Sequence, residues 1–304
     1  MGTALRDTIK KIVHDHLKNK IGKCYGQCLT AVGWVGGTLP ELYEDDGMVE
    51  LPMADVAGGA FVVGAALANT KPIYVVRYQG FQWYNCVSII NYAAKSKELW
   101  GRSCPIMVRS VAMEGAIGPV AGSSHHSLYY RMPGLKIVSP MSSDEYISCY
   151  NAFLNDDVPY YFSEHRKSFD NTENLDDIIF VDPDITLIPF SVTRFSAQKA
   201  SKILYNMNIK CNVLHQVWIK PFKLDEKSID NILKSKYGSV VLDDDYTSGM
   251  IESVAYKIMS SCKNSVFCMG LEDKTAGFKK SKDNLPPNEN QIVEKVLSII
   301  NKQN

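Results

Sequence analysis

The stretch LPMADVAGGAFVVGAALA (residues 51–68) runs almost directly into KPIYVVRYQGF (71–81). One acid, Asp55, stands before a run of small and apolar residues that reads as a helix. The next segment reads as a short buried strand ending in a turn at Gly80. An Asp ahead of an apolar run can accept the free amide hydrogens of the first helical turn, so a helix cap is the simplest reading of Asp55. The chain then repeats the alternation. YNCVSIINYAAKSKELW (84–100) has helical spacing, with Val87, Ile90, Ala94 and Leu99 able to share a face. CPIMVRSVA (104–112), LKIVSP (135–140) and VPYYFSEH (158–165) read as strands, and SSDEYISCYNAFL (142–154) opens with a Ser cap and acids in its first turn. Strands alternating with helices predict a parallel sheet covered on both faces.

The character changes at SFDNTENLDDIIFVDPD (168–184), which is polar, acidic and broken by Pro. Beyond it the alternation resumes: strand ITLIPFS, helix SAQKASKILYNMN, strand KCNVLHQVWI, helix DEKSIDNILKSK, strand GSVVLDD and helix SGMIESVAYKIMSS. A last helix puts Ile292, Val293, Val296 and Ile299 on one side. The fold class read from this pattern is α/β, with two domains, 1–170 and 185–304, joined by a linker at 171–184. Each is a mostly parallel sheet flanked by helices. A chain of 304 residues has room for two such cores.

Composition narrows the function. Lys plus Arg and Asp plus Glu both number 33, and no long basic block stands out, so neither nucleic acid nor a membrane surface is an expected partner. No apolar stretch reaches bilayer length, and the charged, amphipathic start lacks the core of a signal peptide. Eight scattered Cys read as free thiols of a cytoplasmic protein. Cys24 and Cys28 have no second pair to complete a metal site.

The chemistry must come from elsewhere. There is no GxxxxGK[ST] and no GxSxG, and GWVGGT (33–38) lacks the strand and spacing of a dinucleotide fingerprint. GAIGPVAGSSHHS (115–127) is a loop bearing His125 and His126, either a solvated loop or subunit contact, or a catalytic loop. RYQGFQWYN (77–85) packs Tyr78, Phe81, Trp83 and Tyr84 at a strand end, where they serve either the core or a ligand. An acid before a helix, an aromatic cluster and a His-bearing loop at strand ends are what a flat, heteroaromatic cofactor needs.

The order LPMADVAGGAFVVGAALANTKPIYVVRYQGF, IINYAAKS, CPIMVRS, GPVAGSSHHS, MPGLKIVSP resembles the pyrimidine-binding domain of thiamine-diphosphate enzymes. It is similar to the beta subunit of 2-oxo acid dehydrogenases and to the matching part of transketolases, over about residues 45–165. VVLDDDYTSGMIESVAYKI and LPPNENQIVEKV resemble the family's C-terminal domain more faintly.

The resemblance implies site residues. Asp55 takes the place of the glutamate that hydrogen-bonds the aminopyrimidine ring nitrogen of thiamine diphosphate, which favours the imino tautomer that deprotonates the thiazolium carbon. Asp is one methylene shorter, so the backbone comes closer, a water intervenes, or activation weakens. Phe81 matches the ring-stacking position, with Tyr78 and Tyr84 as second choices. His126 matches the active-site His of the dehydrogenase beta subunits, and His125 matches if the transketolase loop is the guide. The family's diphosphate half carries a GDG motif that holds Mg2+, and no GDG occurs here. The resemblance therefore implies an alpha-type partner subunit that supplies the diphosphate and Mg2+ site, in an α2β2 heterotetramer with a small-molecule substrate. The implied activity is decarboxylation of a 2-oxo acid with acyl or aldehyde transfer. A split transketolase-like enzyme moving a ketol unit and a non-catalytic, partner-binding member are the alternatives.

Overall fold

The computed structural model describes residues 2–114, 122–275 and 284–303. The first seven residues of the loop expected at 115–127 lie outside them. Eleven strands fall into two sheets among the described residues. The first contains β1 (Cys24–Gly26), β2 (Met48–Glu50), β3 (Ile73–Tyr78), β4 (Met107–Ala112), β5 (Lys136–Val138) and β6 (Tyr160–His165). The second contains β7 (Ile185–Pro189), β8 (Cys211–Val213), β10 (Ser239–Tyr246) and β11 (Val266–Leu271). The remaining strand, β9 (Trp218–Lys220), comes from the second half of the chain but pairs with β5, so the first sheet runs β2-β1-β3-β4-β6-β5-β9. Every pairing is parallel except β5 with β9, and the second sheet runs β11-β10-β7-β8.

These elements follow from their side chains. The strands β4 and β6 are buried along their whole length, as expected of central strands covered on both faces. The helix Ser143–Leu154 starts as expected: the Ser142 hydroxyl accepts from the Glu145 amide, and the Glu145 carboxylate reaches back to the Ser142 amide. The terminal helix Glu289–Gln303 buries Ile292, Val293, Val296 and Ile299.

Two segments depart from the sequence reading. KCNVLHQVWI is two strands, β8 and β9, one in each sheet. The chain leaves the second sheet after Gln216, whose amide still donates to the Pro189 carbonyl at 3.1 Å, and Trp218 then seats against Tyr160 of the first, with centroids 6.0 Å apart. The helix expected over 84–100 is broken into a turn at Gln82–Asn85, a π-helical turn at Ile89–Ala93 and an α-helix at Ala94–Trp100.

The core has three parts. One lies under the helices Leu5–Lys18 and Ser143–Leu154, and one under Thr193–Asn206 and Glu289–Gln303. The third is shared between the halves, with Val62, Tyr74 and Val108 in one cluster with Phe190, Val241 and Ile251.

Candidate functional site

Parallel strands end together, and the loops that leave their C-terminal ends make the site. Gln27 follows β1, the segment ending in Asp55 follows β2, the aromatic turn follows β3, and His165 ends β6. Asp55 is the first residue of the helix Asp55–Leu67. The cap position belongs to Ala54, and no side chain caps the helix. The cap reading of Asp55 therefore fails. Its Oδ1 instead accepts from Gln27 Nε2 at 2.8 Å, and among the described residues its Oδ2 has no hydrogen bond. Asp55 is half-buried, less shielded than a carboxylate meant to be enclosed in the protein alone.

The helix lies close to the aromatic turn because of a glycine. A Cβ on Gly59 would fall 2.0 Å from the Asn85 carbonyl oxygen, so only glycine permits the approach. Asn85 accepts from the Tyr74 hydroxyl at 2.6 Å and donates to the Phe81 carbonyl at 3.0 Å. One contact thus ties the Asp55 helix to the turn that carries Phe81. The rings differ in setting. Phe81 is 38% exposed and lies 6.1 Å from Tyr78, tilted by 35°. Tyr78 is half-buried under the Arg77 guanidinium and faces a small cavity with Val35, Val111 and Met113. Tyr84 is 64% exposed.

The two His have different fates. The backbone of His125 is clamped by two buried glutamines: its amide donates to Gln79 Oε1 at 2.7 Å, and its carbonyl accepts from Gln82 Nε2 at 3.1 Å. Its half-buried ring stands 6.5 Å from the exposed Trp83. Burial lowers its pKa and the neighbouring His126 adds to this, against an opposing pull from Asp245. His126 is fully buried, with Nδ1 2.9 Å from Ser163 Oγ and Nε2 2.8 Å from Asp243 Oδ2. Burial would depress its imidazole, but Asp243, aided by Asp245 and Asp244, holds it up at about 9. At the end of β6, burial holds the His165 imidazole down at about 3. Gln27, Gln79 and Gln82 were not found in the sequence. Their partners lie 28 to 85 residues away, and an amide side chain carries no spacing signal.

Comparison with known proteins agrees with this frame. Residues 29–171 match the transketolase pyrimidine-binding domain, and residues 179–274 match the transketolase C-terminal domain. The chain belongs to the transketolase-like family. Among curated members, it is 26% identical over 318 residues to the pyruvate dehydrogenase E1 component subunit beta of Rickettsia felis, covering 97% of this chain and 96% of that one. It is 28% identical over 240 residues to the 2-oxoisovalerate dehydrogenase subunit beta of Bacillus subtilis, covering 73% and 72%. Among solved structures, the inactive beta4 tetramer of a split-gene transketolase superposes with a TM-score of 0.76 at 13% identity, covering 99% of both chains. A transketolase from Campylobacter jejuni gives the same TM-score at 17% identity, and this chain spans 47% of its length.

The residues present fit one half of the family's cofactor. A carboxylate with one oxygen fixed and one unbonded, beside a partly exposed ring, suits an aminopyrimidine that needs an acid at its nitrogen and a face to stack on. Nothing in the sequence supplies the GDG motif for the diphosphate half. No helix among the described residues is long and apolar enough to cross a membrane.

Proposed function

We propose that the chain is the beta-type subunit of a two-chain thiamine-diphosphate enzyme that decarboxylates a 2-oxo acid and passes on the acyl or aldehyde unit. The carrying observation is Asp55, freed from capping and held by Gln27 at the strand ends beside the aromatic turn. The curated relatives named as beta subunits of 2-oxo acid dehydrogenases support the same reading. Thiamine diphosphate, when bound, supplies a thiazolium carbon that adds to the 2-oxo carbonyl. Asp55 holds the proton at the pyrimidine nitrogen, and Phe81 stacks on that ring, with Tyr78 and Tyr84 as the alternatives. The sequence favours His126 slightly as the substrate-facing His. Because both ring nitrogens of His126 are engaged in the interior, that role falls to His125, with its half-buried ring beside the exposed Trp83 and its backbone fixed by Gln79 and Gln82.

The reading includes an alpha-type partner that holds the diphosphate and Mg2+, an α2β2 assembly, and domains at 1–170 and 185–304 joined by 171–184. It also includes a cytoplasmic location, which suits eight free cysteines. The uncovered apolar side chains Val56 and Phe61 on the Asp55 helix, and Trp83 and Tyr84 on the aromatic turn, support a subunit contact around the site.

The test is reconstitution with the alpha-type partner, with cofactor and Mg2+ titrated and pyruvate and a ketose phosphate offered in parallel. Cofactor binding and CO2 release are expected only with both chains present. Asp55→Asn is expected to slow exchange of the thiazolium proton by about 10²–10⁴ while the chain stays folded. Ketol transfer from the sugar phosphate would replace this reading with a split transketolase. Tight cofactor binding by the lone chain, or normal exchange in the Asn variant, would reject it.

A further inference from the structure

The second sheet delivers three consecutive acids, Asp243, Asp244 and Asp245, to the interior at the end of β10, each almost fully buried. Buried carboxylates need partners, and each can be accounted for separately. Asp245 accepts from the amides of Ser127 at 2.9 Å and Tyr246 at 2.7 Å, one on each oxygen. Asp243 accepts the Asp244 amide on Oδ1 at 2.9 Å and turns Oδ2 to His126 Nε2. Asp244 accepts the Ser124 hydroxyl on Oδ2 at 2.7 Å, while among the described residues its buried Oδ1 makes no hydrogen bond, nor does the nearby buried hydroxyl of Ser191; burial and Asp243 push its carboxyl up to about 8. Among the described residues, no Lys or Arg pairs with any of the three. The one cation beside them among the described residues is the His126 imidazole, which Asp243 keeps protonated; His165, 3.9 Å from Asp244, is held neutral by burial.

The geometry points to a site for one divalent transition-metal ion formed by His126, Asp243 and Asp244, at the seam between the two halves of the chain. One ligand atom from each of these residues lies within 4.8 Å of the other two. For every donor, the other polar atom is already held: His126 Nδ1 by Ser163, Asp243 Oδ1 by the Asp244 amide, and Asp244 Oδ2 by Ser124. This is the outer-shell arrangement that orients metal ligands. The Ser163 hydroxyl also accepts from Gln79, and its second lone pair can take the His126 Nδ1 proton. An ion would displace to solvent the proton that Nε2 now shares with Asp243, and with the other proton kept on Nδ1 by Ser163 the Nε2 lone pair would then face the two carboxylates.

One imidazole and two carboxylates suit Zn2+ or Mn2+ better than an alkali ion. The ion would satisfy the Asp244 oxygen and take over from the His126 proton the balancing of the carboxylates' charge. Nε2 and Asp243 Oδ2, now in direct contact, would move apart to about 3.3 Å for tetrahedral ligands at roughly 2.0–2.1 Å. The site differs from the Mg2+ assigned to the partner and does not rest on the activity proposed above. Its consequence is mechanical: it would pin β10 of the second sheet to the loop carrying His125.

The full chain, stripped with chelator, is titrated with Zn2+ and separately with Mn2+, which binds thiols poorly. Calorimetry, metal content and thermal unfolding are read, alone and in complex with the partner. One ion per chain and a raised unfolding temperature are expected. Asp244→Asn keeps the Ser124 hydrogen bond and removes the uncompensated oxygen, so it should fold at least as well as the parent, and it should lose affinity by about 100-fold or more. Ser163→Ala, which releases the His126 tautomer, should lose about 10–100-fold. Asp245→Asn should leave the stoichiometry at one. Failure to retain an ion, or equal binding by parent and Asp244→Asn, overturns the site.

Discussion

His16 shows how far a single buried group constrains the molecule. It is fully buried in the helix Leu5–Lys18, with Nε2 2.8 Å from the Lys71 carbonyl and Nδ1 2.8 Å from the Tyr150 hydroxyl. A carbonyl only accepts, so Nε2 carries the proton, and Nδ1 accepts from Tyr150. A second proton, on Nδ1, would have to turn the Tyr150 hydroxyl from donor to acceptor, and burial holds the pKa of the ring down at about 4. The unfolded chain binds a proton near 6.5, so the stabilisation is present above that pH and is lost as pH falls through the window from 6.5 toward 4. Gln can donate to Lys71 and accept from Tyr150 without titrating. Between neutral pH and about pH 5, wild type should therefore lose about 2 kcal/mol more stability than His16→Gln, measured by urea unfolding. Parallel pH profiles would show that His16 is not held neutral. At this scale the sequence was partly legible. Asp55 stood out because an acid before an apolar run is unusual, and Phe81 because aromatics cluster around it. The fates of His125 and His126 were not, since adjacent residues on a loop can point in opposite directions and no pattern records which one faces Asp243.

The helix Asp55–Leu67 contains three glycines, and its neighbours give them different meanings. A Cβ on Gly64 would meet nothing within 4 Å, whereas one on Gly59 would strike the Asn85 carbonyl. Ala is the better helix former by about 1 kcal/mol, so Gly64→Ala should stabilise the chain by up to that amount. Gly59→Ala gains the same propensity but forces the helix off the aromatic turn. Overpacking costs about 1–3 kcal/mol, so the net change should be destabilising. Thermal unfolding of the two variants should move in opposite directions. A shift of the same sign in both would mean that the Gly59 contact yields without cost. Elements with a strong period were readable, as the capped helix at Ser143–Leu154 and the apolar side of Glu289–Gln303 illustrate. The three-residue strands β1 and β2 are too short to display any alternation. The strand β11, VFCMGL, lay unread between two clear helices. The break between β8 and β9 was hidden because a run of strand-forming residues does not say which sheet it joins.

At the scale of the whole molecule, the alternation of strands and helices announced two parallel sheets, but the sequence contained no sign of how they are fastened. Beyond the shared core and β9, one fastening is an ion pair across the seam. Arg194, fully buried at the start of the helix Thr193–Asn206, grips both carboxylate oxygens of Glu145, the capping-box residue of Ser143–Leu154. Arg194 Nε also reaches His215 Nδ1 at 3.3 Å. The two ends of this pair should not be equally costly to remove. Glu145→Gln keeps a group able to close the capping box but leaves the Arg194 charge buried without its partner. Loss of one member of a buried pair costs about 3–5 kcal/mol. Arg194→Met leaves Glu145 partly exposed, with the amides of Met141 and Ser142 still donating to it, so its charge remains solvated. That substitution should cost about 1–2 kcal/mol, and adding it to Glu145→Gln should recover part of the larger loss, because the stranded charge is then gone. Urea unfolding of the two single variants and the double variant decides the matter. Equal costs, or a double variant as unstable as the sum of the singles, would mean that the pair is solvated in solution and that the halves are held by the shared apolar core, β9 and the buried contacts of Ser124, His126 and Ser127 with Asp243–Asp245.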